Sequence, residues 1–263
     1  MLRYLRLHRI FIAQHLKKLM EYKTDFLLGA IGMLLAQALQ VMFIGVIFSQ
    51  IPELEGYTFD EVIFIFGFSL IPKSLDHLFS DNLWFVGYSI IRKGDFDKYL
   101  TRPINSLYYV IVERFCVDAF GEMLTGILLL GYAIPRLHLA FHWYTIPLAL
   151  VVLVFATLIY TALKTMTAAV SFWTKASGHI THMFYMTSDF SKYPVTIYNK
   201  VIQGFITYVV PFAFTAYFPA SFFLTGKDPL FCIGGMVVAG VVMSAIALLI
   251  WSRGVRAYES AGS

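Results

Sequence analysis

The sequence predicts an all-α polytopic membrane protein, and three observations carry that prediction. Of the 263 residues, 59% are hydrophobic and 14% charged, with a mean hydropathy of +0.71; soluble domains carry about 25% charged residues. The apolar runs are long and unbroken, whereas a transmembrane barrel would show alternating segments of about ten residues. The cations are also unevenly placed. Of the 20 Lys and Arg, six fall in residues 1–23, four in 82–106 and two after Trp251, with none in 51–60. Cation-rich loops stay on the cytoplasmic side, so both termini and 82–106 are expected there, in the cell membrane. The net charge of +4 therefore points to membrane topology and not to nucleic acid. The first twenty residues lack the short apolar core and cleavage site of a removable leader.

Taken in order, residues 1–23 read as an interfacial amphipathic helix. Leu2, Leu5, Ile12, Leu16 and Leu19 share one face and Arg3, Arg6, Lys17 and Glu21 another, which suits anionic headgroups. A first span is expected over 26–48, which is free of charge. A short acidic outer connection follows at 51–60. The second span, 62–79, carries Lys73, Asp76 and His77 beyond Pro72.

Between the second and third spans lies Arg92-Lys93-Gly94-Asp95-Phe96-Asp97-Lys98-Tyr99-Leu100-Thr101-Arg102-Pro103, a charged insert within the cytoplasmic loop 82–106. The third span is expected over 107–132, with Glu113, Arg114, Asp118 and Glu122 in its inner half. A charge at mid-membrane costs about 2.5–3.5 kcal/mol or more. Pairing is therefore expected: Arg114 with Asp118 four residues on, and Lys73 with Glu113 or Asp118. An ion-paired brace between neighbouring helices is favoured over a proton relay.

The fourth span is expected over 144–163. Beyond it, Ser171, Lys175, His179, His182, Met186 and Asp189 make a polar stripe along 165–190. That segment is either a fifth span with its stripe toward a cavity or a cytoplasmic amphipathic helix. Residues 194–225 contain Pro211 and Pro219; prolines interrupt a helix interior, so this stretch is either the fifth span or a re-entrant hairpin. The last span is expected over 230–251, where Gly234, Gly235, Gly240 and Ser244 permit close helix packing. With both termini inside, an even number of crossings follows, and six fits.

Catalytic signatures are missing. There is no phosphate-cradling G-x-x-x-x-G-K-[ST], no H-E-x-x-H or C-x-x-C, and no G-x-S-x-G nucleophile turn. No metal site, cofactor or catalytic residue is expected in this chain. Cys116 and Cys232 sit in apolar segments and read as buried thiols.

Four pieces carry a family resemblance. Residues 93–103 resemble the G-x-[ILF]-D-x-x-L-x-R-P loop of bacterial ABC-2-type transporter permeases, in the subgroup with two related permease chains and a separate ATPase. Tyr193-Pro194 with Ile197-Tyr198 is similar to that group's Y-P-x-x-I-Y turn. The stretch holding Pro211, Tyr217, Pro219 and Ala220 resembles its P-x-x-x-x-x-Y-x-P-A segment. Gly254 to Gly262 is similar to its G-[LV]-x-x-Y-x-S-A-G ending.

The resemblance implies one permease domain with an interfacial helix, six spans and a re-entrant helical hairpin at 194–225. That makes 165–190 the fifth span, and Ser171, Lys175, His179 and His182 of that span, with Pro211 and Pro219 of the hairpin, are the candidate pathway-lining residues. It implies an ABC ATPase dimer, holding the ATP and Mg, docked at 84–103, together with a second permease chain, related or identical. Arg92, Lys93, Gly94, Asp95, Phe96, Asp97, Lys98, Tyr99, Arg102 and Pro103 would then form a coupling element whose motion the second and third spans transmit. Lys73, Asp76, His77, Glu113, Arg114 and Asp118 would stiffen that lever. A rival from another class is a stand-alone membrane enzyme or ion-coupled carrier using Glu113, Asp118, His179 and His182. A regulatory membrane subunit is a third possibility.

Overall fold

The structure, a computed structural model, describes residues 11, 13, 14, 17, 23–139, 142–226 and 228–260. Most of the interfacial helix expected at 1–23 lies outside the described residues. Of that stretch, residues 11, 13, 14 and 17 are helical, and Phe11 lies 6.1 Å from the Tyr109 ring. The described chain is predominantly helical, without strands and with one isolated bridge between Leu54 and Tyr57. Among the described residues, five helices are long and apolar enough to cross a membrane: Leu27–Phe48, Phe59–Ser80, Ala119–Leu137, Thr145–Thr174 and Leu230–Ala257.

Helix α1 (Lys23–Phe48) is peripheral, exposing Leu28, Leu35, Leu39, Met42 and Val46. Helix α2 (Phe59–Ser80) is central and starts where the Glu61 carboxylate accepts the Thr58 backbone N–H and hydroxyl, both at 2.8 Å. Its residues Val62 through Phe66 are all buried.

The expected third span is split. Helix α3 (Ser106–Glu113), capped by the Asn105 side chain, ends at an extended Arg114, and helix α4 (Ala119–Leu137) begins afresh. The Cys116 N–H donates to the Leu78 carbonyl at 3.2 Å instead of continuing a helical ladder. The physical reason is charge: the break keeps Glu113, Arg114 and Asp118 ahead of the apolar helix instead of within it. Helices α2 and α4 cross closely at two glycines. A Cβ on Gly67 would lie 2.8 Å from Leu129 Cβ, and one on Gly126 would lie 3.0 Å from the Gly67 carbonyl.

Helix α5 (Thr145–Ala169) is longer than expected and takes in residues 165–169, of which Thr165, Thr167, Ala168 and Ala169 lie buried. A short turn, Ser171–Thr174, follows, and Lys175 then adopts a left-handed conformation (φ 66°) that stops it. Helix α6 (Gly178–Met186) starts where the Ser177 N–H donates to the Gly87 carbonyl at 2.8 Å. It passes into tighter turns at Thr187–Lys192 and Val195–Ile197. The segment 165–190 is therefore the end of one helix plus a second, broken one, and not a single continuous span.

The two prolines expected to interrupt 194–225 act differently. Pro211 sits at a break between the turn Phe205–Val209 and the turn Phe212–Thr215. Pro219 lies in the first turn of α7 (Tyr217–Thr225), where its missing N–H would lack an intrahelical partner anyway. Tyr57 ties this helix to the 51–58 connection, its hydroxyl lying 2.9 Å from both Tyr217 Oη and Ser221 Oγ. Helix α8 (Gly235–Ala257) closes the chain against α5, with Gly240 facing Phe155.

Candidate coupling segment and buried charge network

The insert after α2 is a folded cap. A helical turn, Asn82–Phe85, and a wider turn, Val86–Ile90, lead to Gly94, whose φ of 78° suits a residue without Cβ, and then to a turn at Asp97–Leu100. Arg92, Lys93, Asp95, Asp97, Lys98, Leu100, Arg102 and Pro103 are exposed, whereas Phe96 and Tyr99 are almost wholly buried. The Phe96 ring meets Phe172 at 4.9 Å, Trp251 at 6.0 Å and Tyr258 at 5.2 Å. Tyr99 packs on Tyr109 of α3 at 5.0 Å. Two aromatic anchors thus hold a charged exposed surface onto α3, the turn that follows α5, and the end of α8. The buried contacts therefore reach beyond the second and third spans, to the end of α5 and the last helix.

Glu113 is the polar centre of this elbow. Its carboxylate accepts Lys98 Nζ at 2.8 Å, Asn82 Nδ2 at 3.2 Å and the Tyr99 hydroxyl in a short hydrogen bond. Burial opposes its ionisation, but the bonds from Lys98 and Tyr99 outweigh that and hold the carboxyl below its ordinary range. Burial pushes the Tyr99 hydroxyl well up, and the Glu113 carboxylate adds to this. Burial likewise raises the Cys116 thiol to about 12, with Asp81 and Asp118 contributing, so it is an inert thiol.

A second set of charges lies among α2, α4, α5 and α6. Lys164, fully buried on α5, donates to Asp76 Oδ2 and Asp81 Oδ1, both at 2.7 Å. Asp76, equally buried, also accepts the Thr161 hydroxyl at 2.8 Å, the Ser80 hydroxyl at 2.5 Å and the Tyr185 hydroxyl at 3.2 Å. His77 Nδ1 lies 3.2 Å from Glu122 Oε2, and Nε2 lies 3.8 Å from Asp81 Oδ2. Asp189 accepts Lys73 at 3.3 Å and Lys192 at 2.8 Å, and Lys192 reaches Gln40 Oε1 of α1 at 3.1 Å. Four carboxylates thus meet three ammonium groups and one imidazole. That near balance lets so many charges lie within apolar helices.

The sequence-predicted residues divide between these two places. Lys73, Asp76 and His77 belong to the buried network. Glu113 belongs to the elbow with Lys98, and Lys73 pairs with Asp189 instead. Arg114 does not pair with Asp118 along a helix, because its backbone is extended there; its guanidinium stacks 3.9 Å from the Phe85 ring. Asp118 stands at the start of α4 beside Gly29.

On the polar stripe, Ser171 is buried and bonds the Ala168 carbonyl at 2.6 Å, while Lys175, His179 and His182 are exposed. His179 meets Tyr88 at 5.5 Å and His182 meets Trp84 at 6.1 Å. Pro211 and Pro219 are buried. The structure does not bring Glu113 or Asp118 together with the histidine pair. Lys164, Asp81 and Lys192 are not among the residues expected in this network, and Glu122 and Asp189 are expected only as charges of the third span and of the polar stripe, without these partners. The one available signal was a lysine inside an otherwise apolar α5 run, where a lone charge demands a partner.

The helices and these buried ion pairs define the class: a multi-pass helical membrane protein. A family model for ABC-2 family transporter proteins matches residues 34–262. The chain belongs to that family. It is thus a membrane permease component of a transport system, of a kind that works with an ABC ATPase. No curated protein and no solved structure matches the chain.

Proposed function

We propose that this chain is the transmembrane permease subunit of an ATP-binding-cassette exporter in the bacterial cell membrane. It moves a small or amphipathic substrate, and an ABC ATPase dimer docked at residues 84–103 drives it. ATP and Mg reside on that ATPase, and a second permease chain, related or identical, completes the pathway. Both termini are cytoplasmic. Six crossings follow when the broken path from Gly178 through Lys192 counts as the fifth. Residues 194–225 are then a re-entrant segment on the outer side, with His179, His182 and Met186 facing the pathway.

The observation that best supports this role is the partition of the insert. Arg92, Lys93 and Asp95 are exposed and available to a soluble partner, while Phe96 and Tyr99 are buried against the ends of the neighbouring helices. A push on the outer surface therefore displaces helices and not a slack loop.

Affinity purification through this chain tests the docking. The wild type is expected to bring down an ATP-hydrolysing subunit, and Arg92→Glu/Lys93→Glu is expected to recover about tenfold less of it. Undiminished recovery with that variant would contradict docking at the insert.

A further inference from the structure

The chain's last described residues do not trail into solvent. After α8 ends at Ala257, the backbone extends at Tyr258 and returns across the charged insert. The Tyr258 ring packs on Phe96 at 5.2 Å and on Phe172 at 6.1 Å. Its hydroxyl donates to the Gly94 carbonyl at 3.4 Å, and the Ser260 hydroxyl donates to Asp97 Oδ2 at 2.6 Å. Gly94 and Asp97 bracket Phe96, so the tail grips the insert on both sides of its buried anchor. Burial raises the Tyr258 hydroxyl, and the neighbouring Asp97 carboxylate adds to that, so it remains a donor at every physiological pH.

We infer that Tyr258 and Ser260 form a strap that clamps the charged insert to the last helix, so that the two move as one body. The inference rests on the coupling role proposed above and adds positioning residues to it. Apart from the strap, the insert meets α8 through apolar packing that includes Phe96 on Trp251. That apolar contact resists separation but lets the surfaces slide, because dispersion is not directional. Two hydrogen bonds, one to a carboxylate, fix both register and distance.

This also gives Asp97 a second role. Asp95 is exposed toward a docking partner, whereas Asp97 is spent on holding the tail. Helix α8 packs along α5 through Gly240 and Phe155, and α5 carries Lys164 of the buried network. The strap therefore makes the last helix a second output of the insert, in parallel with α2 and α3.

Spin-label distances in the full complex, purified through this chain, test the strap. Both native cysteines are replaced by Ser, and distances are read without nucleotide and after trapping with ATP and vanadate. One pair joins Thr101→Cys on the insert to Ser252→Cys on α8. The other joins Thr101→Cys to Ser49→Cys at the far end of α1.

The second pair is expected to shift by about 5 Å on trapping, the scale of a one-turn displacement, while the first stays fixed. Ser260→Ala and Tyr258→Ala are each expected to let the first pair shift with nucleotide, and Ser260→Thr, which keeps the hydroxyl, to hold it fixed. A second pair that never shifts overturns the coupling role itself. If it does shift, the strap is overturned either by a wild-type first pair that moves with nucleotide or by one that stays fixed in both the Ala variants.

Discussion

At the scale of single residues, Lys164 and Glu113 show how the same chemistry serves two purposes. Lys164 is sealed between Asp76 and Asp81, and removing one member of a buried pair leaves an uncompensated charge. Lys164→Met is therefore expected to destabilise the protein by about 3–5 kcal/mol, seen as a lower unfolding midpoint in detergent. Adding Asp76→Asn should restore part of that loss, since the two effects are coupled. Glu113 lies at the elbow beneath the insert, beside Lys98 and Tyr99, and its carboxyl is held below the ordinary range. Its stabilising effect is therefore complete above the unfolded value of about 4.3 and is lost as pH falls through the lower folded value. Hydrogen exchange over residues 97–113 should accelerate only below that range, and Glu113→Gln should abolish the acid step.

At the scale of elements, legibility followed the strength of local signals. The five long helices could be read in outline because a predominantly apolar run of about twenty residues admits few alternatives. The break between α3 and α4 could not, since Arg114 leaves the helix through a backbone bond from Cys116 to Leu78 that no periodicity encodes. The extension of α5 to Ala169 was missed for the opposite reason: the polar stripe drew attention to 165–190 as one unit, although Lys175 is where the helix stops. The role of Pro219 depended on its offset from a helix start, which sequence alone left open. Close crossing of α2 and α4 makes a sharper prediction. Gly67→Ala would press a methyl group against Leu129 Cβ and the backbone of Gly126 and Leu130. It should lower stability by about 1–3 kcal/mol, measurable in the same unfolding assay.

At the scale of the whole molecule, the charged insert and the buried network lie in sequence along one route. The insert's anchors reach α5 and α8, and α5 presents Lys164 to Asp76 and Asp81 of α2. From there His77 meets Glu122 of α4, and Asp189 links Lys73 to Lys192 and so to Gln40 of α1. The insert could be read from its charges. The network could be read only in half, because pairing across helices depends on rotations that single spans do not reveal.

The central claim is that the insert converts ATP hydrolysis into motion of these helices. Export of a fluorescent amphiphile per ATP hydrolysed, in inverted vesicles carrying the complex, tests it most directly. Asp95→Ala/Asp97→Ala should leave the chain inserted and ATP turning over while this ratio falls about fivefold or more. An unchanged ratio in that variant would contradict the account.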